Sequence, residues 1–192
     1  MKLKVCGIND IDFAVEAERL GVDYLGFIFA PSSPRNLAPE QAASITSRLS
    51  GAAKRVGVFV RQSASEILAI MRTAGLDVVQ LHRRATAVDV AALREAGFEV
   101  WTLAGGAPGD GVLFDSSHGD GETAFRRGPY KTILAGGVSA DNLASFVALG
   151  PDVLDVNSSL ETSPGRKDIA RLQEFLFSYG SVADRRISSR LR

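Results

Sequence analysis

The chain has 192 residues and a mass of 20.4 kDa, with 22 Lys+Arg balanced by 22 Asp+Glu, 45% apolar residues and a single Cys. That is enough for one globular domain. A formal charge of zero and a pI near 6.7 supply no general field to hold it on nucleic acid or on an anionic membrane. One Cys and two His exclude an intrachain disulfide and a Cys-built structural zinc site. The run from Met1 into Val5-Cys6-Gly7 has no apolar stretch of signal-peptide length, and no later run approaches a membrane span, so a cytoplasmic protein is expected.

In chain order, short β-rich runs alternate with stretches carrying apolar residues at three- and four-residue spacing. Leu3 to Cys6 reads as a strand and Ile11 to Leu20 as a helix. Tyr24 to Phe29 is followed by Pro39 to Leu49, Arg55 to Val60 by Ala64 to Ala74, and Val78 to Leu81 by Ala87 to Ala96. After the fifth strand, Glu99 to Leu103, the alternation fails: only AGGAPGDG at 104–111 precedes the strand Val112 to Phe114, and it is too rich in Gly and Pro for a helix. At roughly 3.3 Å per residue such a segment still spans a short strand as an extended crossover. The stretch from Asp115 to Tyr130, with Gly119 and Gly121, leaves little room for a regular helix. Thr132 to Leu134, the helix Ala140 to Leu149 and the strand Val153 to Val156 follow, and Asp168 to Tyr179 reads as a closing helix. Gly21, Gly75, Gly97 and Gly150 stand where helices end. Eight strands in alternation predict an α/β fold, a minimal single-domain (β/α)8 barrel over 1–179 with a loop in place of the helix between strands 5 and 6. Residues 180–192 are expected to form a frayed basic tail, and the thinned wall at Ala104 to Gly111 to be covered by that tail or by a second subunit.

In such a barrel, reactive groups sit at the C-terminal ends of the strands and in the loops that follow. The first strand ends at Cys6, which taken alone is as readily a small buried hydrophobe as a base. The sixth ends at Asp115, taken alone an ordinary turn residue. Together, across one mouth, a thiolate and a carboxylic acid make a base and an acid for moving protons. Gly136 and Gly137 after the seventh strand, with Ser158 and Ser159 after the eighth, can turn backbone N–H groups onto a phosphate. Pro31-Ser32-Ser33-Pro34 stiffens the loop carrying Arg35, either a bidentate partner for carboxylate or phosphate or a solvent-facing arginine. His82 ends the fourth strand at the rim, as a pocket hydrogen-bond donor or a loop residue. A base needs a lowered thiol pKa and an acid donor a raised carboxyl pKa, yet the sequence shows no obvious cation beside Cys6.

These residues fall in seven segments: KVCGI at 4–8, YLGFIFAPSSPR at 24–35, VGVFV at 56–60, VQLH at 79–82, FDSSHGDGETAF at 114–125, LAGGVSADN at 134–142 and LDVNSSLETSPGRKD at 154–168. In that order, and from Lys4 to about Tyr179, they resemble the phosphoribosylanthranilate isomerases, β/α-barrel enzymes of tryptophan biosynthesis. The resemblance implies an Amadori rearrangement of N-(5'-phosphoribosyl)anthranilate, a small-molecule substrate, and no metal or organic cofactor. It implies that Cys6 is the general base at ribose C2', Asp115 the general acid at the ring oxygen, and Arg35 the partner of the anthranilate carboxylate. The backbone at Gly136, Gly137, Ser158 and Ser159 matches the family's phosphate cradle, and His82 and Asp155 fall near the substrate. The sequence departs from the family in Arg83-Arg84 after His82, where glycine is usual, in Phe125-Arg126-Arg127 for an FDW pattern, and in Arg61 for a frequent asparagine. Two alternatives stand beside this reading. An isomerase that also accepts the histidine-pathway aminoimidazole ribotide is disfavoured by Cys6 and by the lack of a second glycine-rich phosphate loop. A phosphate-binding barrel without catalysis is disfavoured by the joint presence of Cys6, Asp115 and Arg35.

Overall fold

The computed structural model describes residues 1–116 and 125–190. Eight parallel strands, β1 (Lys2–Cys6), β2 (Tyr24–Phe29), β3 (Lys54–Phe59), β4 (Val78–Leu81), β5 (Glu99–Leu103), β6 (Gly111–Asp115), β7 (Lys131–Ala135) and β8 (Val153–Val156), pair in sequence order and close through β8 on β1. Around them lie α1 (Ile11–Arg19), α2 (Pro39–Thr46), α3 (Ala64–Thr73), α4 (Ala87–Glu95), α5 (Leu143–Leu149) and α6 (Ile169–Arg190). The strands are near-continuous apolar runs because side chains and helices cover both of their faces. Helix starts are capped as the chain dictates: Asp10 accepts from Phe13 N, and the Ser63/Glu66 and Thr86/Asp89 pairs form reciprocal caps on α3 and α4.

An aspartate placed just before each even-numbered strand pins the strand before it. Asp23 accepts from Leu3 N at 2.8 Å, Asp77 from Arg55 N at 2.8 Å, Asp110 from Val100 N at 2.8 Å and Asp152 from Thr132 N at 2.7 Å. Each bond occupies a backbone donor at a strand start, where an orphan N–H is costly, and fixes register at the N-terminal end of the barrel. The interior at that end is solid. Tyr24 and Trp101 meet edge to face at 4.9 Å and pack with Val56, Val78, Leu113, Ile133 and Val153, which closes the barrel interior at that end.

No helix separates β5 from β6, in line with the Gly- and Pro-rich sequence there. The crossover is held by Ala107 N to Ala85 O at 2.9 Å and Asp110 N to Val100 O at 2.7 Å. The closing helix differs from the expectation: α6 continues past Tyr179 to Arg190 and packs against α1 and α5. Nothing at Tyr179 stops a helix, since Gly180 is followed by residues without proline, and Tyr179 Oη donates to Met1 O at 2.8 Å. A short antiparallel pair, β9 (Glu161–Ser163) and β10 (Arg166–Lys167), follows a single 3₁₀ turn at Ser158–Leu160 and was not expected. Residues 117–124 of the FDSSHGDGETAF segment, including Gly119 and Gly121, lie outside the described residues. Among the described residues, no helix is long and apolar enough to cross a membrane.

Candidate active site

A cavity of about 750 Å³ opens at the C-terminal end of the barrel, a volume suited to a small ligand. Cys6, Arg35, His82, Asp115, Gly136, Gly137, Asp155 and Ser158 all line it. Ser159 does not: its hydroxyl turns away and donates to Val138 O at 2.6 Å. His82 Nε2 stands 3.8 Å from Asp115 Oδ2, beyond hydrogen-bond length. Of the two arginines that replace glycine after His82, Arg83 is engaged on Asp89 at the start of α4, while Arg84 reaches the rim of the cavity.

Two glycines shape the mouth. At Gly7, φ is +73° and a Cβ would stand 2.5 Å from Arg35 Cδ, so only a hydrogen there lets the arginine side chain pass. At Gly136, φ is +94° and a Cβ would meet Ser116 N at 2.5 Å and Asp115 Oδ1 at 2.6 Å. Nothing lies within 4 Å of a Cβ built on Gly137, which leaves room above the turn for a bound group.

The charges around Cys6 correct the sequence reading, which found no cation there. Strand alternation places Lys4 on the same inward face as Cys6, and the β1 to β8 register sets Lys4 opposite Asp155. Lys4 is 0% exposed, and its Nζ lies 2.6 Å from Asp155 Oδ2. Burial disfavours its ammonium, but the charges of Asp155 and Cys6 outweigh burial and hold its pKa above 10.5. For Cys6 the balance runs the other way: burial pushes the thiol above 9.0, while Lys4 pulls it down. A second cation reaches the site from β10. Lys167 Nζ donates to Asn157 Oδ1 at 2.7 Å and to Glu161 Oε1 at 2.8 Å, and contributes to lowering the Cys6 pKa. Arg35 forms a two-point bond to the same carboxylate, Nε to Oε1 at 2.7 Å and Nη2 to Oε2 at 2.6 Å. Burial works against the ionised form of Glu161, yet the hydrogen bonds from Arg35 and Lys167 hold its pKa down to about 2. Lys4, Lys167 and Arg35 thus surround Asp155 and Glu161, with burial holding the Asp155 pKa up and the Lys167 pKa down, so the main pull favouring a thiolate at Cys6 comes from Lys4.

Lys4, Glu161 and Lys167 are the functional candidates that the motif reading passed over. Lys4 was legible two positions before Cys6 on the same strand face. Glu161 and Lys167 carried no such signal, because strands of three and two residues have no periodicity. No group of three or more His, Cys, Asp or Glu that could hold a metal occurs among the described residues.

Comparison with known proteins agrees on one family. A family model described as N-(5'phosphoribosyl)anthranilate (PRA) isomerase matches residues 3–177. An N-(5'-phosphoribosyl)anthranilate isomerase of Pelobacter propionicus is 33% identical over 200 residues, covering 92% of this chain and 94% of that protein. Among solved structures, the phosphoribosyl anthranilate isomerase of Thermus thermophilus superposes with a TM-score of 0.84 at 32% identity, over 95% of this chain and all of the other. A phosphoribosyl anthranilate isomerase crystallised with reduced 1-(o-carboxyphenylamino)-1-deoxyribulose 5-phosphate gives a TM-score of 0.81 at 25% identity, over 94% of this chain and 99% of that one.

Proposed function

The chain belongs to the N-(5'-phosphoribosyl)anthranilate isomerase family and is an isomerase of tryptophan biosynthesis, and on that premise we propose that Cys6 and Asp115 are its base and acid. The observation that carries the assignment is their position: one thiol from β1 and one carboxyl from β6 line a single cavity, beside Arg35 and the glycine turn after β7.

The reaction is an Amadori rearrangement, and the proton account assigns each group a step. Asp115, as the carboxylic acid, gives a proton to the ribose ring oxygen while the C1'–O bond breaks and the nitrogen lone pair forms the C1'=N iminium. The Cys6 thiolate then removes the C2' proton, and the released electron pair forms the C1'=C2' enaminol as nitrogen regains its lone pair. Tautomerisation moves the enol proton from oxygen to C1' and leaves the C2' ketone. Asp115 has lost one proton and Cys6 has gained one, so exchange with solvent restores both. The iminium charge beside C2' acidifies that C–H bond and favours the facing thiolate, adding to Lys4 and Lys167.

Arg35, held by Glu161 and admitted past Gly7, receives the anthranilate carboxylate. The backbone at Gly136, Gly137, Ser158 and Ser159 receives the phosphate, with His82 and Asp155 flanking the sugar between the two anionic ends. The account expects a fall in anthranilate fluorescence when purified protein meets freshly formed N-(5'-phosphoribosyl)anthranilate. No turnover from a folded protein contradicts it.

A further inference from the structure

Gln80 lies on β4 two positions before His82, is 2% exposed and lines the same cavity as Cys6. Its Oε1 is buried with no hydrogen-bond donor among the described residues. Asp155, also lining the cavity, is in the same condition at Oδ1, since Lys4 takes only Oδ2. An acceptor left unpaired in the interior lowers stability, and an apolar side chain of similar shape removes that cost. The inward neighbours Val58, Val78 and Leu113 are of that apolar kind, so packing alone gives no reason for an amide at this position. Buried polar groups left unsatisfied in an otherwise well-paired structure mark places where a ligand completes the pairing.

The chemistry of the missing partner follows from what the site lacks. Two acceptors need hydrogen-bond donors. The substrate's phosphate and carboxylate only accept at neutral pH, and the cations and backbone turns already described suit those two ends. Its ribose portion carries the hydroxyl donors. We infer that Gln80 is a substrate-binding residue whose amide carbonyl accepts a hydrogen bond from a hydroxyl of that sugar portion, an inference that rests on the isomerase assignment above. The terminal amide torsion of glutamine is broad, so turning the carbonyl toward a bound hydroxyl needs no change of the strand.

The test compares two probes by titration calorimetry: ribitol 5-phosphate, which has the hydroxyls and the phosphate but no anilino N–H, and inorganic phosphate. Wild-type protein binds ribitol 5-phosphate more tightly than phosphate. In Gln80→Met, affinity for ribitol 5-phosphate falls by roughly five- to one-hundred-fold, because a hydroxyl is then buried without its acceptor, while phosphate affinity stays within about twofold. The unliganded variant melts at the wild-type temperature or above it, since the substitution removes an unpaired acceptor. Gln80→Leu, of different shape, repeats the pattern. Ribitol 5-phosphate affinity within about twofold of wild type overturns the inference, and so does a joint loss of both ligands with a lowered melting temperature, which is the signature of a structural role. Wild-type protein that binds neither probe contradicts the isomerase reading itself. Wild-type binding that the Gln80 variants leave unchanged overturns this inference alone.

Discussion

Replacing Lys4 with methionine tests whether the buried charge pair under Cys6 is built as described. Lys4 is 0% exposed, its Nζ lies 2.6 Å from Asp155 Oδ2, and Asp155 Oδ1 has no donor among the described residues. Removing the ammonium therefore strips the Asp155 carboxylate of its partner at the buried floor of the cavity. The carboxylate can escape by taking a proton, and from an ordinary pKa of about 3.9 that costs about 4 kcal/mol at pH 7. Breaking one side of a buried ion pair costs a similar amount, about 3–5 kcal/mol. The expected loss is thus about 3–4 kcal/mol, or a melting temperature roughly 6–16 °C lower for a domain of this size. Urea unfolding followed by the fluorescence of Trp101, the only tryptophan and itself buried, measures it. The pH dependence carries the sign. Burial already raises the Asp155 pKa in the wild type against the pull of Lys4, and in Lys4→Met it rises further, so the added penalty is full at neutral pH and shrinks as pH falls through the variant's folded-state pKa, by about 1.4 kcal/mol per unit. The double variant Lys4→Met/Asp155→Leu recovers most of the loss, because no charge remains buried. A loss below about 1 kcal/mol for Lys4→Met, or one that does not shrink on acidification, refutes the argument.

Three further outcomes follow from the same geometry. Cys6 is the only thiol, so the pH profile of alkylation by iodoacetamide reads it alone; its midpoint in the unliganded protein lies above 9.0, and Gly7→Ser, which leaves Lys4 in place, shifts it less than Lys4→Met, which moves it further up. A midpoint that falls in Lys4→Met removes Lys4 from the account. Gly136→Ala places a methyl 2.6 Å from Asp115 Oδ1 at a φ of +94°, so it lowers stability by roughly 1–3 kcal/mol and turnover with it, checked by melting and by steady-state kinetics. For Arg35→Met, which loses the two-point bond to Glu161 and the partner assigned to the anthranilate carboxylate, KM rises at least about tenfold, and the pKa of Glu161, about 2 in the wild type, returns toward 4.5. The stability that ionised Glu161 confers is lost in the wild type as pH falls from about 4.5 to about 2, and in the variant, where only Lys167 remains as partner, that acid limb is smaller.

The barrel was legible because its punctuation is local. Apolar runs, helix caps and a glycine after several of the helices each act within a few residues, and AGGAPGDG at 104–111 excluded a helix by composition alone. The part of the site that follows strand ends was legible for the same reason: Cys6, Asp115 and the Gly136-Gly137 turn are positions in a known register. What the sequence hid depends on residues brought together from afar. Glu161 meets Arg35 and Lys167 only because the antiparallel β9 to β10 pair folds the chain back on itself beside Arg35. Lys4 meets Asp155 only because β8 closes on β1. Gln80 looks like any polar residue in a strand until its neighbours are known to leave Oε1 without a donor. The length of α6 was underestimated because the stretch after Tyr179 opens on Gly180 and is rich in Arg and Ser, although nothing in it forbids a helix.

The most direct test of the account is turnover of freshly formed N-(5'-phosphoribosyl)anthranilate by Cys6→Ala and Asp115→Ala beside the wild type, with melting curves to show that each variant is folded. The account predicts that each substitution lowers kcat by about 10²- to 10⁴-fold, the range of a lost general acid or base, with the fold retained. Turnover within about tenfold of wild type in either folded variant contradicts the assignment of that residue.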